Sequence, residues 1–268
     1  MTSAGQTLPK LARRLQEGAA QVGLDLAPPE HEKLLALLSL MSKWNAVYNL
    51  TAVRDPEQML IQHLLDSLAI ITPLSRHLDL SGATIADVGS GAGLPGLPLA
   101  IVFPRAKVLS IEPVGKKVAF QRQSCAELAL TNVEVFAGRA QALTRQVDLV
   151  ICRAFASLPD FVDAAAGLIG PSTLVVAMKG QRAGLESECA ELPTHCQVEI
   201  EALQVPFLDA QRHLVIVRHA GRSAPKDDAR HAAAASQAAP APAPASPQVL
   251  SLGPTSPGPA PAALRRSV

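Results

Sequence analysis

Between residues 83 and 93 the chain reads ATIADVGSGAG, an apolar run that breaks into three alternating glycines, Gly89, Gly91 and Gly93. No other feature constrains the fold as strongly. An apolar run ending this way is a buried strand that turns sharply into a helix, and glycine alone takes positive φ there without steric cost. The segments that follow repeat the alternation. LPGLPLAIVF (94–103) has a helical pattern, AKVLSIE (106–112) a strand pattern, and KKVAFQRQSCAELAL (116–130) a helical one. VEVFAG (133–138) and VDLVICRAF (147–155) read as strands, PDFVDAAAGLI (159–169) as a helix, and STLVVAMKG, CQVEIEALQVP and RHLVIVRH as three more strands. Repeated β-α units predict an α/β fold with a mainly parallel sheet covered by helices on both faces. No helical pattern separates the last two strands, so they are expected to form an antiparallel edge pair.

Upstream, EHEKLLALLSLMSKWN (30–45) places Leu34, Leu37, Leu38, Met41 and Trp44 at helical spacing. Asp55-Pro56-Glu57-Gln58 reads as a helix start, with Asp55 as N-cap, Pro56 at the first helical position and Gln58 as reciprocal cap. In the helix that follows, His63, Asp66 and Ser67 stand at i, i+3 and i+4 and share the face opposite the leucines. The end of the chain differs in kind. From about residue 221 it is Ala/Pro-rich, with few large apolar groups to offset its ordering entropy, so a disordered tail is expected. The reading therefore divides the chain into an N-terminal arm (1–29), N-terminal helices (30–80), a sheet domain (81–220) and the tail (221–268).

At 268 residues and 48% hydrophobic, the chain can bury one sizeable core. No run of about 18 apolar residues exists, and the N-terminus lacks a signal peptide's apolar stretch, so a cytoplasmic protein is expected. Cys125, Cys152, Cys189 and Cys196 form no CxxC pair and read as free buried thiols, and no His/Cys spacing suggests a metal. The net charge of +1 conceals an asymmetry: the tail carries about +3, which leaves roughly −2 for residues 1–220. A polyanion partner must then be met by a local patch.

Three details narrow the ligand of the glycine loop. The pattern is GxGxG. Asp87 precedes it at the strand end, and Glu112 ends the next strand, 19 residues after Gly93. An acid at that position accepts hydrogen bonds from both ribose hydroxyls of an adenosyl ligand. S-adenosylmethionine carries no phosphate, and its ammonium and sulfonium groups suit Asp87 and loop carbonyls. A nicotinamide or flavin dinucleotide and a purely structural turn are the alternatives.

The chain resembles the ribosomal RNA small subunit methyltransferase G family, also called glucose-inhibited division protein B. The resemblance rests on NAVYNLTAVRDPEQMLIQHLLDSL (45–68), IADVGSGAGLPGLPLAIVFP (85–104), IEPVGKKVAFQRQ (111–123), ICRAFASL (151–158), MKGQ (178–181) and VPFLDAQRHLVIV (205–217). It implies a class I methyltransferase with a Rossmann-like sheet, using S-adenosylmethionine to methylate N7 of one guanine in a hairpin loop of 16S ribosomal RNA. The implied partner is that RNA within the small ribosomal subunit, met by a monomer. Carried over by position, Gly89 and Leu94 line the cofactor loop, where Asp87, Gly91 and Gly93 of the glycine motif are also cofactor-binding candidates, Glu112 takes the ribose, and Ala140 and Gln141 take the adenine. Arg153 sits beyond the fourth strand. Gln141 stands where members often carry an acid, and Pro113-Val114 where they often carry Ser-Leu. The tail is not part of the family pattern.

The fourth strand ends without the NPPY-like motif of amino-group methyltransferases. This fits N7 chemistry, because that nitrogen carries an in-plane lone pair and no proton. Displacement at the methyl group then needs alignment rather than a general base. Arg153, whose planar fork grips O6 or phosphate oxygens, is the leading candidate for the catalytic set. His63 and Asp66 join it as a hydrogen-bond network rather than an acid-base couple; the alternative is a solvated helix face. Asn49, Ser67, Phe155, Lys179, Arg212 and His213 are candidates for substrate contact, and Lys116, Lys117, Arg122 and Gln181 for phosphate contact. Three other functions stay open: a small-molecule methyltransferase, a non-catalytic cofactor- or RNA-binding module, and a dinucleotide oxidoreductase.

Overall fold

The computed structural model describes residues 4–219. The expected Ala/Pro-rich tail, with its Arg265-Arg266 pair, lies outside the described residues. Seven strands make one sheet: β1 (Thr84–Val88), β2 (Lys107–Glu112), β3 (Val133–Ala137), β4 (Leu149–Arg153), β5 (Leu174–Lys179), β6 (Cys196–Leu203) and β7 (Arg212–His219). Their spatial order is β3-β2-β1-β4-β5-β7-β6. The first five pair in parallel, and β7 runs antiparallel to both of its neighbours. The last two strands form an antiparallel pair at one end of the sheet, as expected. β7 is inserted between β5 and β6, so β6 is the outer strand of that pair. The side chains explain the order. Leu214, Val215, Ile216 and Val217 are all buried, so β7 needs cover on both faces. In β6, exposed residues recur at Gln197, Glu199 and Ala202, which suits a solvated edge.

Successive residues of each strand feed two cores. Ile85, Leu149, Ile151, Leu174, Val176, Leu214 and Ile216 point to one. Ala86, Val88, Val150, Cys152, Val175, Ala177, Val215 and Val217 point to the other, as the two-residue period of a strand requires. The first core is covered by α1 (Ala4–Gln21), α2 (Pro28–Tyr48), residues 59–74, α6 (Gly96–Val102) and Phe120 of α7 (Gly115–Glu127). The second is covered by α8 (Leu158–Ala164) and α9 (Leu185–Ala190). The sequence pattern had placed neither α1 nor α9. Leu11, Leu15 and Ala19 give α1 a buried stripe at four-residue spacing, but alanine and glycine dilute it.

The helix after Asp55 is irregular. Asp55 Oδ1 accepts the Gln58 amide at 2.9 Å, as an N-cap should, with Pro56 at the first position. Gln58 does not cap in return; its Oε1 accepts from Gln62 Nε2 at 2.9 Å. One α-helical turn, α3 (Pro56–Met59), passes into a π-helical stretch, Leu60–Leu65, and then into α4 (Asp66–Leu68), with α5 (Ile71–Ser75) beyond. The wider turns carry His63, Asp66 and Ser67 inward; all three are buried, so this is not a solvated face.

Candidate active site

The strand order reverses between β1 and β4: the chain runs to β2 and β3 on one side and to β5 on the other. In such sheets ligands sit in the crevice beyond the carboxyl ends of the two strands at the reversal. Here those ends carry Gly89 and Arg153.

The glycine loop is tied to β2 from below. Gly89 and Ser90 donate their amides to Ile111 O at 2.9 and 3.1 Å. Gly89, Gly91 and Gly93 take φ of 69°, 60° and 76°. Glu112 is buried and holds the loop from the side: its two oxygens accept from the Gly91 and Val114 amides, each at 2.8 Å. A carboxylate offers about four lone pairs, so two remain for ribose hydroxyls. Sequence reasoning missed Gln121, a buried amide that donates to Ser90 Oγ and Gly91 O at 2.8 Å and accepts from Ser110 Oγ at 2.7 Å. Its signal was a polar residue in the middle of α7, which alone says nothing about its partner.

Asp87 lies under the loop, fully buried. Its Oδ2 accepts the Gly96 amide at 2.8 Å, and its Oδ1 has no partner. Burial pushes its carboxyl up to about 7. An orphaned buried carboxylate oxygen beside a loop of positive-φ glycines fits a ligand with an ammonium group, and Glu112 fits its ribose. The pocket chemistry therefore matches S-adenosylmethionine.

On the other side of the crevice, Asp66 joins two strands. Its Oδ2 accepts from Arg153 Nη1 at 3.2 Å and its Oδ1 from Arg212 Nε at 2.9 Å. Arg153 Nη1 also donates to Gln62 O at 3.0 Å, a carbonyl within the π-helical stretch. Asp66 is 2% exposed, whereas the two arginine side chains are 22% and 25% exposed. One buried carboxylate thus orients two guanidinium groups and neutralises one of them. His63 stands behind. Its Nε2 meets Thr51 Oγ1 at 2.9 Å, and its Nδ1 has no partner. Burial, then the charge of Arg153, pushes its imidazole down to about 4, so it is neutral. Asn45, another residue the sequence reading passed over, staples this corner: it donates to Val53 O and accepts the Thr51 amide, both at 2.8 Å.

The other expected residues are distributed as follows. A Cβ built on Gly89 would lie 3.9 Å from the Phe155 ring, so Phe155 lies over the loop. Leu94 and Ala140 are buried, and Gln141 and Gln181 are exposed. Asn49 ends α2 at φ 48° and accepts from Arg54, and Lys116 Nζ donates to Tyr48 O at 2.8 Å. Arg122 Nη2 reaches Val135 O at 3.5 Å. Ser67 Oγ turns back to His63 O at 2.6 Å. Lys179 pairs with Glu188 at 2.8 Å, and His213 Nδ1 donates to Gly180 O at 2.8 Å. All four cysteines are free, but only Cys152 is buried. Among the described residues, His77, Glu199 and Glu201 converge within 4.8 Å. Arg76 binds Glu201, and Arg218 binds Glu199 and His77, so cations already occupy that cluster. No described helix is long and apolar enough to cross a membrane.

His63 and Asp87 make opposite contributions to stability. Between pH 6.5 and 4 the unfolded chain protonates His63 and the folded chain does not, so acidification costs stability there. Asp87 keeps its proton up to about 7 when folded but loses it near 3.8 when unfolded, so its contribution is lost as pH rises through that window. Asp87→Asn removes the second term. The variant is expected to gain on the wild type by roughly 4 kcal/mol between pH 4 and 7.5, as read from urea midpoints. A difference that stays level with pH removes the buried titration of Asp87.

The profile of one protein family, described as rRNA small subunit methyltransferase G, matches residues 30–215. A Burkholderia multivorans protein named ribosomal RNA small subunit methyltransferase G is 47% identical over 214 residues, covering 77% of this chain and 92% of its own. A protein of the same name in Methylibium petroleiphilum is 43% identical over 223 residues, covering 82% of this chain and 100% of its own. A solved SAM-dependent methyltransferase from Aquifex aeolicus is similar at TM-score 0.46 and 20% identity, covering 61% of this chain and 93% of that one.

Proposed function

The chain belongs to the rRNA small subunit methyltransferase G family, and from that premise we propose that it methylates N7 of one guanine in a hairpin loop of 16S ribosomal RNA. It is an S-adenosylmethionine-dependent methyltransferase with small-subunit ribosomal RNA as its substrate class. The observation that carries the finer reading is the Arg153–Asp66–Arg212 cluster at the strand reversal, with the cofactor loop at the neighbouring strand end.

S-adenosylmethionine supplies an electrophilic methyl group on a positively charged sulfur. Gly89, Gly91 and Gly93 admit it to close backbone contact, Glu112 takes its ribose, and Asp87 takes its ammonium group. Ala140 and Gln141, which follow β3, flank its adenine. The nucleophile is a lone pair with no proton to remove, and no titratable side chain at the crevice is assigned as a base. Neutral His63 holds Thr51 and thereby the loop between α2 and α3. Alignment carries the acceleration, up to roughly 7–11 kcal/mol for well-oriented reactants. The electrostatics agree. Methylation leaves a cationic guanine, which two bare guanidinium groups would oppose. Asp66 reduces the pair to one net charge, and a nucleotide phosphate gripped by the remaining donors offsets that one. The slightly acidic balance of residues 1–220 supports a substrate presented within the small subunit rather than captured by bulk charge.

The test uses methyl-labelled S-adenosylmethionine and small subunits lacking the modification, with the label mapped by cleavage at N7-methylguanine. One labelled guanine in a hairpin loop is the expected result. Label on another atom overturns the N7 assignment. Label only on small metabolites, or none with cofactor bound, favours the small-molecule or non-catalytic alternative.

A further inference from the structure

The segment after β4 has to be held over the glycine loop, yet little within it does so. Ala154 takes φ 59°, an unfavourable conformation for a residue with a Cβ, and such strain persists only when the surroundings impose it. Phe155 lies over Gly89, and Ser157 begins α8 by accepting the Asp160 amide at 3.2 Å. The amide of Leu158, the first residue of that helix, has no acceptor in its own helix. It donates instead to Glu188 Oε2 at 2.7 Å, across to α9. The same oxygen accepts from Lys179 Nζ at 2.8 Å. Lys179 is the last residue of β5, one position beyond Met178, the register partner of Arg153. Its side chain is 10% exposed and that of Glu188 27%, so the ion pair is partly sheltered from solvent. The strap 153–158 is therefore anchored at both ends: at the start by the sheet and Asp66, and at the far end by one carboxylate bound to the neighbouring strand.

We propose that Glu188 is a positioning residue for methyl transfer, holding the 153–158 strap so that Arg153 and Phe155 face the cofactor loop, with Lys179 in turn holding Glu188. This rests on reading the crevice as the site of methyl transfer. It assigns Lys179 a supporting place behind the strap instead of contact with RNA. The cofactor loop itself hangs on β2, Glu112 and Gln121, none of which touches Glu188, so the effect falls on turnover and spares cofactor affinity.

The test compares the full-length wild type with Glu188→Ala, Glu188→Gln and Glu186→Ala. The last removes an exposed carboxylate of the same helix that pairs with Arg182. Two quantities are read: kcat and KM for S-adenosylmethionine on unmodified small subunits, and amide hydrogen exchange at Leu158. Glu188→Ala is expected to lower kcat by about tenfold to a hundredfold, to leave KM for the cofactor within about twofold, and to speed exchange at Leu158. Glu188→Gln retains a carbonyl acceptor for the Leu158 amide and recovers most of kcat and most of the protection. Glu186→Ala matches the wild type. A merely structural ion pair would lower melting temperature and leave kcat per folded molecule unchanged, and that outcome overturns the proposal. If Glu188→Ala does not fold, unaltered Leu158 exchange and a full kcat deficit in Glu188→Gln overturn it instead. A wild-type chain that methylates nothing overturns the reading of the crevice, while exchange at Leu158 still decides whether Glu188 holds the strap.

Discussion

Gly89→Val is expected to bind S-adenosylmethionine roughly a hundredfold more weakly than the wild type, with its fold retained. The cause is backbone geometry rather than crowding. Gly89 sits at φ 69°, where a β-branched residue is a true outlier, and a Cβ there meets nothing closer than the Phe155 ring at 3.9 Å. The strain of such a position is about 1–3 kcal/mol, and the loop relieves it by leaving the shape that faces the ligand. Gly82→Val is the control, because Gly82 is not among the positive-φ glycines and a Cβ there meets nothing within 4 Å. Titration calorimetry gives the affinities and thermal unfolding the stability. An affinity within threefold of the wild type would remove Gly89 from the cofactor loop.

The second large effect separates Asp66 from Arg153. Both Asp66→Ala and Arg153→Ala are expected to lower kcat/KM by about a hundredfold, since each dismantles the guanidinium pair. Only Asp66→Ala carries a substantial stability cost. Removing the carboxylate leaves Arg153 and Arg212 facing each other with no shared acceptor, whereas removing Arg153 leaves Asp66 still paired with Arg212 at 2.9 Å. Breaking a fully buried pair costs about 3–5 kcal/mol. The arginines are about a quarter exposed and solvent screens them, so about 2 kcal/mol is expected, or about 4–8 °C in melting temperature. Equal melting temperatures for the two variants would show that Asp66 is not the shared anchor. Wild-type turnover in Arg153→Ala would remove that residue from the site.

The boundary between legible and illegible runs along the distance over which each signal acts. Strands β1, β2, β4 and β5 were readable because burial on both faces leaves continuous apolar runs, and the glycines at 89, 91 and 93 were readable because only a special backbone calls for them. Asp55 as N-cap is an interaction three residues long, and its amide partner is where the pattern predicts. Insertion of β7 between β5 and β6 was not legible, since a strand carries no local mark of its neighbour. The π-helical stretch was equally hidden: LIQHLL has an ordinary helical pattern, and the partners that meet its inner side, Arg153 at Gln62 O and Thr51 at His63, come from elsewhere in the chain.

The same division holds for the site. The amino-acid sequence by itself determined the α/β class, the glycine loop with Asp87 and Glu112 around it, and, through its run of motifs, the family. Those features are local or lie at strand ends whose order along the chain is enough to place them. Only the tertiary structure decided that Asp66, Arg153 and Arg212 form one cluster, that Gln121 braces the loop, and that Lys179 turns to Glu188 instead of outward. Residues 66, 153 and 212 meet because three segments far apart in the chain converge at the carboxyl end of the parallel strands. A hydrogen bond between side chains so distant in sequence leaves no periodic trace in any of the segments that supply it.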